Sequence, residues 1–483
     1  MSLPYADIFP VIHTLLGKNG WQLFTSTFLP DNIALDAPVE KLHFLSEPHT
    51  FPDYLPDLAR IELLRYQLQT RPSPITPDTG RFQLNPNLYL RHIPWTLSPL
   101  FGTSPALQLP VLEEPEWICI RRLPESGSIL TTAAHEEDLL ALKIVGEDLN
   151  PATFAESGML SRGTIHRVLL DASSSGLLIK PWSSIVRSAP SGKKSDATLS
   201  HAHTFTLQWH ITNSCDLHCR HCYDRTKRSP LTLGEAYSVL DDFLSFCIAA
   251  NVRGHISFSG GNPFLFPTFP ELYQRAADMG FATSILGNPV SRSAVNQITG
   301  ILLPAYFQIS LEGLPHHNDD IRGDGTFFRA IEFLGVLRDF SIPSTVMLTL
   351  TKKNISQVIP LAERLRGHAD HFTYNRLSPV GEGAALALPS KEEYLYFLQD
   401  YIKAAQNNSI IGFKDNLINC VLEEEGKPPF DGCTGFGCGA AFNFVAVLPD
   451  GEVHACRKFP SLIGNIHETS LEKIYSSEEA ARY

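Results

Sequence analysis

The chain has 483 residues, of which 43% are hydrophobic, and its formal net charge is −12. This length suggests about three or four domains with real cores, and the charge argues against a general nucleic-acid-binding protein. There is no run of 18 apolar residues and no basic segment ahead of an apolar one at the N-terminus. We therefore expect a cytoplasmic protein without a membrane span or secretory signal, whose partners include neither nucleic acid nor membrane.

Residues 1–114 are predicted to be mostly helical. Apolar residues recur at helical spacing over 6–16 and 57–69, whereas 81–101 could form strands or a loop. No catalytic constellation occurs in this region, so the sequence assigns it no role.

Residues 115–190 show a pattern of short elements that is typical of a winged helix. Two strands, three helices and a return strand are predicted at 116–122, 129–132, 136–147, 151–157, 161–172 and 177–180. The third helix carries Asp171 as well as Arg162 and Arg167, so its attraction to DNA phosphates is weak. The order of elements also resembles the peptide-recognition domains of enzymes that modify ribosomally made peptides. Such domains bind a leader peptide as an extra strand, a role that we favour over DNA binding or a purely structural module.

Residues 188–203 are polar and predict a linker, after which the pattern changes to strand–loop–helix repeats. Six strands are predicted at 204–211, 255–259, 281–286, 305–311, 344–350 and 372–377. The clearest helices are predicted at 231–250, 269–279, 327–339 and 356–367. Six strand–helix units indicate a parallel, barrel-like sheet with right-handed crossovers, in which ligands bind at the C-terminal ends of the strands.

Three cysteines, Cys215, Cys219 and Cys222, follow the first of these strands. Thiolates at this spacing can reach three corners of one iron–sulfur cube and leave the fourth iron without a protein ligand. A zinc site completed by His218 or His221 is the alternative. Tyr223, directly after the last cysteine, could lie flat against a purine ring.

This Cys-x3-Cys-x2-Cys loop with its following aromatic residue resembles that of the radical S-adenosylmethionine (SAM) enzymes. The resemblance implies a 4Fe–4S cluster whose open iron takes the methionine part of SAM. It also implies reductive cleavage of SAM to a 5′-deoxyadenosyl radical, with an electron donor such as flavodoxin or ferredoxin. The chemistry belongs to the cofactor, and the protein positions and shields it.

Further motifs at the predicted strand ends resemble the SAM-binding motifs of the same family. The Gly-Gly turn at 260–261 matches a motif that holds the methionine amino group, although Asn262 replaces the usual glutamate, so the role of a charge there is open. Arg322 is expected to pair with the SAM carboxylate, with Arg376 as an alternative anchor. The predicted cofactor-binding residues are Tyr223, Gly260, Gly261, Asn262, Asn288, Ser310, Glu312, Arg322 and Arg376. For Glu312 a solvated loop carboxylate is the alternative, and the sequence assigns no catalytic acid or base.

A second group of cysteines, Cys420, Cys433, Cys438 and Cys456, lies near the C-terminus. A hairpin is predicted from 444–447 and 453–455, and an amphipathic helix from 471–481. The spacing Cys-x12-Gly-x4-Cys resembles the start of the SPASM domain, or of its half-size form called twitch, which carries auxiliary iron–sulfur clusters. Four cysteines suffice for one auxiliary 4Fe–4S cluster, and a zinc tetrahedron is the alternative. A second auxiliary cluster in a tail beyond Tyr483 stays open.

Together these features predict an α/β protein with a partial (β/α)6 radical SAM barrel, an N-terminal winged-helix peptide-recognition domain and a C-terminal auxiliary-cluster domain. The expected segments are a helical region at 1–114, the winged helix at 115–190, a linker at 191–203, the barrel at 204–405 and the auxiliary domain at 406–483. The expected function is modification of a precursor peptide with a leader, in a layout that resembles the thio/selenoxazole (selenobiotic) peptide maturases. A sulfatase-type serine or cysteine oxidase and a non-enzymatic iron–sulfur or zinc regulator are the alternatives.

Overall fold

The computed structural model describes residues 5–27, 51–72, 78–102, 111–156, 160–187, 200–428 and 437–483. The chain divides into two compact units, Met1–Pro181 and Trp182–Tyr483. Most of the predicted linker, residues 188–199, lies outside the described residues. Within the described part of the chain, no helix is both long and apolar enough to span a bilayer.

Unit 1 contains six helices and five strands in the residues that are described. They are α1 (Tyr5–Ile8), α2 (Pro10–Thr27), α3 (Leu55–Thr70), β1 (Gln83–Leu84), β2 (Leu88–Ile93), β3 (Glu116–Arg122), β4 (Ile129–Ala133), α4 (Glu136–Gly146), α5 (Pro151–Glu156), α6 (Arg162–Ser174) and β5 (Leu178–Ile179). The predicted strand pair and the three predicted helices that follow it are confirmed to within two residues at each end, except for the C-terminal end of the second helix, which lies next to undescribed residues.

The central sheet of unit 1 has the antiparallel order β2–β3–β4. Strand β2 comes from the region before residue 115, so the predicted boundary at 114/115 separates two strands of one sheet. The predicted return strand does not join this sheet, because β5 pairs with β1 instead. Pairing with strands upstream could not be read from a local pattern, and the winged-helix assignment stays a prediction.

Both faces of this sheet are covered by apolar side chains. Ile118 and Ile120 of β3 pack into a cluster with α1, α2 and α3, whereas Cys119 faces a second cluster with α4 and α6. This alternation is the period of two expected for a strand buried on both sides. Cys119 is therefore a small buried side chain of the core.

Unit 2 contains a nine-stranded sheet with helices between its strands. Its elements are β6 (Thr204–Thr212), α7 (Leu233–Ala250), β7 (Arg253–Gly260), α8 (Phe269–Asp278), β8 (Ala282–Leu286), α9 (Arg292–Thr299), β9 (Phe307–Ser310), α10 (Pro315–Arg322), α11 (Thr326–Asp339), β10 (Ser344–Leu350), α12 (Val358–Leu365), β11 (His371–Arg376), α13 (Lys391–Asn407), α14 (Ile418–Glu424), β12 (Phe444–Val447), β13 (Glu452–His454), β14 (Leu462–Asn465), α15 (Leu471–Tyr475) and α16 (Glu478–Ala481).

The six predicted strands β6 to β11 are confirmed as one parallel array in sequence order. The predicted hairpin β12–β13 is also present, and β12 pairs in parallel with β6. The C-terminal strands therefore extend the same sheet and share its core, and the predicted division between 204–405 and 406–483 stays a prediction.

Local capping signals explain several helix bounds. Thr232 and Glu235 exchange hydrogen bonds at the start of α7, as the predicted capping box requires. The single helix predicted over 471–481 is instead two short helices, because Ser477 leaves the helical conformation and its hydroxyl accepts a bond from the backbone N–H of Ala480.

Candidate functional site

A cavity of about 390 Å³ lies at the C-terminal ends of the parallel strands of unit 2. Its volume is in the range typical of small-molecule sites. The structure brings ten of the predicted site residues to its wall, namely Cys215, Cys219, Cys222, Tyr223, Gly260, Gly261, Asn288, Ser310, Arg322 and Arg376. Asn262 and Glu312, 2% and 1% exposed, lie behind the wall.

The start of the cysteine loop is held by the Gly-Gly turn at the end of β7. The N–H of Gly261 donates to the carbonyl of Thr212, and that of Asn262 donates to the carbonyl of Ser214. A Cβ on Gly260 would overlap the Thr212 oxygen, and a Cβ on Gly261 would overlap the Ser214 oxygen. The glycines are thus required for close approach to the cysteine loop itself, in addition to any approach to a ligand.

Two other segments hold the middle and the end of the cysteine loop. The N–H of Arg220 donates to the carbonyl of Ile321 in α10, at 3.0 Å. After β11, the N–H of Glu382 donates to the carbonyl of Cys222, at 2.9 Å. Gly381, with φ of 57°, packs so closely that a Cβ there would overlap the carbonyl of Tyr223. The loop is therefore fixed by backbone contacts at three places.

Asp216, inside the cysteine loop, organises two of the predicted cofactor ligands. Its carboxylate accepts bonds from the side-chain amides of Asn262, at 3.1 Å, and Asn288, at 2.7 Å. The Asn288 amide also lies 3.5 Å from the sulfur of Cys215. Both asparagines therefore orient the loop, and the structure gives Asn262 a partner that explains an amide where the family motif has a glutamate.

Glu312 is the centre of a buried ionic network. One carboxylate oxygen lies 3.2 Å from Arg322 and 3.3 Å from His221, and the other accepts the N–H of Thr349 at 2.8 Å. Burial alone would raise the pKa of Glu312, but His221, Arg322 and the Thr349 amide outweigh it and lower the pKa to about 2. The alternative of a solvated loop carboxylate is wrong, because Glu312 is 1% exposed, whereas its contact with the cofactor stays a prediction.

The two predicted arginine anchors differ in their partners. Arg322, 9% exposed, donates to Glu312 and to the side-chain oxygen of Asn288 at 3.0 Å. Arg376 is half-exposed and pairs with Asp415 at 2.7 Å. Both line the cavity, and two nitrogens of Arg322 already have protein partners. Pairing of either arginine with the SAM carboxylate stays a prediction.

Tyr223 and Ser310 both line the cavity. The hydroxyl of Tyr223 lies 3.2 Å from Nε2 of His210, and the two rings meet edge to face. Burial raises the pKa of Tyr223 to about 12 and lowers that of His210 to about 3, so this pair is neutral. Contact of Tyr223 with a purine, and of Ser310 with SAM, stay predictions.

The C-terminal cysteines are spread over several elements. Cys420 lies on α14, Cys438 before β12 and Cys456 after β13, whereas Cys433 lies outside the described residues. Arg187 donates to the carbonyl of Cys438. The arrangement of the four thiols as one site therefore stays a prediction.

One arginine links the cysteine loop to the C-terminal hairpin. Arg228 pairs with Asp224 at 3.5 Å and with Asp450 and Glu452, each at 2.7 Å. This contact holds the hairpin next to the cavity.

Sequence reasoning missed three residues that shape the site, Asp216, Arg457 and Lys458. The last two line the cavity directly after Cys456. Arg457 and Lys458 could have been found from the sequence, because they directly follow the predicted ligand Cys456. Nothing in the local pattern distinguished Asp216.

The donor set fits a cubic cluster better than a single ion. Among the described residues, no group of three or more His, Cys, Asp and Glu side chains could hold a metal ion. A zinc tetrahedron with His218 or His221 is therefore not preformed. Three thiols on one cavity wall, with no further cysteine lining it in the described part of the chain, fit a cluster that leaves one iron open.

Residues 209–365 match the radical SAM superfamily, and residues 438–483 match an iron–sulfur cluster-binding domain called SPASM. The chain is 25% identical to the antilisterial bacteriocin subtilosin biosynthesis protein AlbA of Bacillus subtilis, over 58% of this chain and 62% of that protein. It is 25% identical to an AdoMet-dependent heme synthase of Methanosarcina barkeri, over 57% of this chain and 83% of that protein. A PqqA peptide cyclase of Rhizobium meliloti is 25% identical over 56% of this chain and 73% of that protein.

Among solved structures, SuiB of Streptococcus suis bound to S-adenosylmethionine aligns with a TM-score of 0.49 and 15% identity, over 82% of this chain and 88% of that one. The match to the subtilosin protein spans less than two thirds of its length. The two family matches coincide with the cysteine loop and its sheet, and with the C-terminal hairpin. The chain thus contains a radical SAM domain and a SPASM domain, and its cofactors are SAM, a SAM-binding 4Fe–4S cluster and an auxiliary iron–sulfur cluster.

Proposed function

We propose that the protein modifies a ribosomally made precursor peptide by radical SAM chemistry. The observation that carries this proposal is the edge of β4 in unit 1 that pairs with no described strand, on a chain that also holds a radical SAM domain and a SPASM domain. Relatives named as a subtilosin biosynthesis protein and a PqqA peptide cyclase support it. A closer assignment to the thio/selenoxazole peptide maturases rests on overall layout only.

The edge of β4 offers backbone groups for an added strand. The register with β3 directs the N–H and C=O groups of Ser128, Thr132 and Ala134 toward β3. Because the direction of the backbone groups alternates along a strand, the N–H and C=O groups of Ile129 and Ala133 point away from β3. No described residue pairs with β4 on that side. An extended leader peptide would add there, with main-chain bonds supplying affinity.

Within unit 2, the chain's own residues have positioning roles. When bound, SAM and its cluster would supply a radical able to abstract a hydrogen atom from the substrate. Cys215, Cys219 and Cys222 would hold the cluster, while Asp216 orients the loop through Asn262 and Asn288. The Glu312–Arg322 pair keeps the wall of the cavity fixed, so the bound groups would be oriented by a rigid surface. An electron donor such as flavodoxin or ferredoxin would supply the reducing equivalent.

The test uses the full-length, anaerobically reconstituted protein with dithionite, SAM and the short peptides encoded beside its gene. Modification appears as a mass change of the peptide. The key variant is Ala133→Pro, which removes an outward N–H without breaking the β3–β4 pairs. Ala133→Val is the matched control because it keeps that N–H.

We expect Ala133→Pro to slow modification of the full-length precursor by about tenfold or more, because one main-chain bond of the added strand is lost and the strand is misaligned. Formation of 5′-deoxyadenosine without peptide should be unchanged in both variants. No mass change in any encoded peptide, with SAM cleavage intact, would refute the proposal.

A second candidate is modification of a tetrapyrrole, because one relative is named as a heme synthase and its match covers 83% of that protein. The same reaction mixture, supplied with a porphyrin instead of a peptide, separates the two. A porphyrin product that forms equally well with Ala133→Pro would favour this second candidate.

A further inference from the structure

The charge on the cavity wall is unbalanced. One carboxylate, Asp224, lines the cavity, and it is already engaged by Arg228, Asn213 and Thr226. Five cationic side chains line the same cavity, namely Arg225, Arg322, Arg376, Arg457 and Lys458. The surplus of positive charge predicts that an anion binds in this cavity.

Arg322 and Arg376 have carboxylate partners in Glu312 and Asp415. Within the described residues, Arg225, Arg457 and Lys458 have no carboxylate partner. Arg457 donates to the hydroxyl of Ser259 at 2.8 Å and makes no ion pair with a carboxylate of the described chain. The ammonium group of Lys458 has neither a hydrogen bond nor an ion pair there, and only the carbonyl of this residue is bonded, to the hydroxyl of Ser378.

Arg457 and Lys458 are partly buried and neighbouring, and no described carboxylate pairs with either. Lys458 lies within electrostatic range of the thiols of Cys438 and Cys456, so a carboxylate would be a further anion beside the pair. They lie between β13 and β14, on the C-terminal part of the chain, whereas the cysteine loop follows β6. The bond from Arg457 to Ser259, at the end of β7, holds this segment over the cavity. The pair therefore forms a wall that comes from a different part of the chain than the predicted cluster ligands Cys215, Cys219 and Cys222.

We propose that Arg457 and Lys458 bind a carboxylate of the substrate, namely an aspartate or glutamate side chain of the peptide close to the residue that is modified. This inference rests on the proposed peptide-modifying function. A guanidinium and an ammonium group side by side suit one carboxylate, since each can give charge-assisted hydrogen bonds. A neutral amide of the same shape keeps only one acceptor oxygen, and its NH2 group would face the two cations without an anion to balance them.

The probes are acetyl-Gly-Glu-Gly-amide and acetyl-Gly-Gln-Gly-amide, which differ only in one carboxylate. Their binding to the reconstituted full-length protein, saturated with SAM, is measured by anaerobic equilibrium dialysis. We expect the glutamate peptide to bind at least about tenfold more tightly than the glutamine peptide. Arg457→Gln and Lys458→Met should each remove most of this preference, and Lys458→Arg should keep it. Lys473→Met, at an exposed position on α15, is the matched control and should behave as wild type.

SAM also carries a carboxylate, so its affinity is measured for the same variants. If Arg457→Gln and Lys458→Met weaken SAM binding while the preference for glutamate persists, the bound carboxylate is that of SAM and the proposal is wrong. Equal binding of both peptides to the wild type would also overturn it. The proposal would also be wrong if Arg457→Gln and Lys458→Met changed only the reduction potential of the auxiliary cluster and left the preference for the glutamate peptide intact. Iron content reports whether each variant is folded and loaded.

The proposed function is tested independently by the mass change of a precursor peptide. If a precursor is modified but the variants keep the glutamate preference, only the carboxylate inference fails. If no peptide is modified and the preference still depends on Arg457 and Lys458, the peptide function fails and the carboxylate belongs to another substrate.

Discussion

The two groups of cysteines in unit 2 are held in different ways. Cys215, Cys219 and Cys222 lie on one short loop that is fixed by backbone bonds from β7, α10 and the segment after β11. Cys420 lies on a helix, whereas Cys438 and Cys456 lie in two different loops, and these cysteines are up to 36 residues apart in the chain.

This difference indicates how each site depends on the fold. The first loop is oriented by direct contacts of its own backbone and of Asp216, so its orientation depends on the ends of the neighbouring strands. The second group depends on where several elements meet. We therefore expect the first site to be sensitive to changes in its supports, and the second to be sensitive to loss of its own ligands.

The largest effect should separate the two cysteine groups. Cys219→Ala should abolish 5′-deoxyadenosine formation, because the cluster loses one of its three ligands. Cys438→Ala should leave SAM cleavage without peptide intact but stop peptide modification. Iron analysis should give about eight irons per wild-type chain for two cubic clusters and about four in each variant. Unchanged SAM cleavage in Cys219→Ala would contradict the assignment of the loop.

A change in the support of the first loop should have the next largest effect. In Gly261→Ala the new methyl group would overlap the carbonyl of Ser214, so the loop must move. We expect the affinity for SAM, measured by dialysis, to fall by about tenfold or more, along with the iron content of the first site. Gly335→Ala on α11 is the control, since no atom lies within 4 Å of its added Cβ. Equal behaviour of both variants would show that the close packing at Gly261 is unimportant.

Glu312→Gln should destabilise the wall behind the first site. It leaves the buried Arg322 without its carboxylate, which costs on the order of 3 kcal/mol. The control Glu363→Gln removes an exposed pair with Arg366 and should cost under about 1 kcal/mol. The measurement is the shift in the urea midpoint of the full chain.

The contribution of Glu312 to the free energy of unfolding has a defined pH dependence. The folded-state pKa of Glu312 is lowered to about 2, so its contribution is fully present above the ordinary value of 4.5 and declines as the pH falls toward 2. The stability difference between Glu312→Gln and wild type should therefore shrink as the pH falls from 4.5 toward 2. A difference that stays constant over this range would contradict the lowered pKa of Glu312.

The smallest effect concerns the link between the two sites. Arg228→Gln removes the ion pairs that connect the cysteine loop to the C-terminal hairpin, through Asp224, Asp450 and Glu452. Because these groups are partly exposed, we expect about a two- to fivefold faster loss of iron to a chelator, with SAM cleavage nearly unchanged. Arg292→Gln, which breaks an exposed surface pair with Asp339, should have no effect on iron loss.

Much of unit 2 was predictable because its signals are local. Six β-prone segments alternate with amphipathic helices, and Thr232 and Glu235 stand at the spacing of a capping box, so strand order and several bounds follow from short windows of sequence. The spacing of Cys215, Cys219 and Cys222 likewise needs only one loop to place three thiols on one cavity. The single helix predicted at 471–481 failed because Ser477 serves as a cap, which competes with helix propensity.

Partnerships between distant residues were not predictable. Asn262 and Asn288 bond to Asp216, Glu312 is buried against Arg322, and Arg457 reaches Ser259 across 198 positions in the sequence.

The sequence by itself determined the parallel array and the cysteine loop, because these depend on periodicity and on ligand spacing, and its resemblance to the radical SAM enzymes indicated the kind of cofactor. Only the tertiary structure decided which polar residues face the cavity and which support it from behind, since hydrogen-bond partners are set by how the strand ends meet. It also decided that β2 joins the sheet of unit 1 and that β12 extends the sheet of unit 2. In both cases the physical reason is that backbone groups pair with whichever strand the fold places next to them, whatever the distance along the chain.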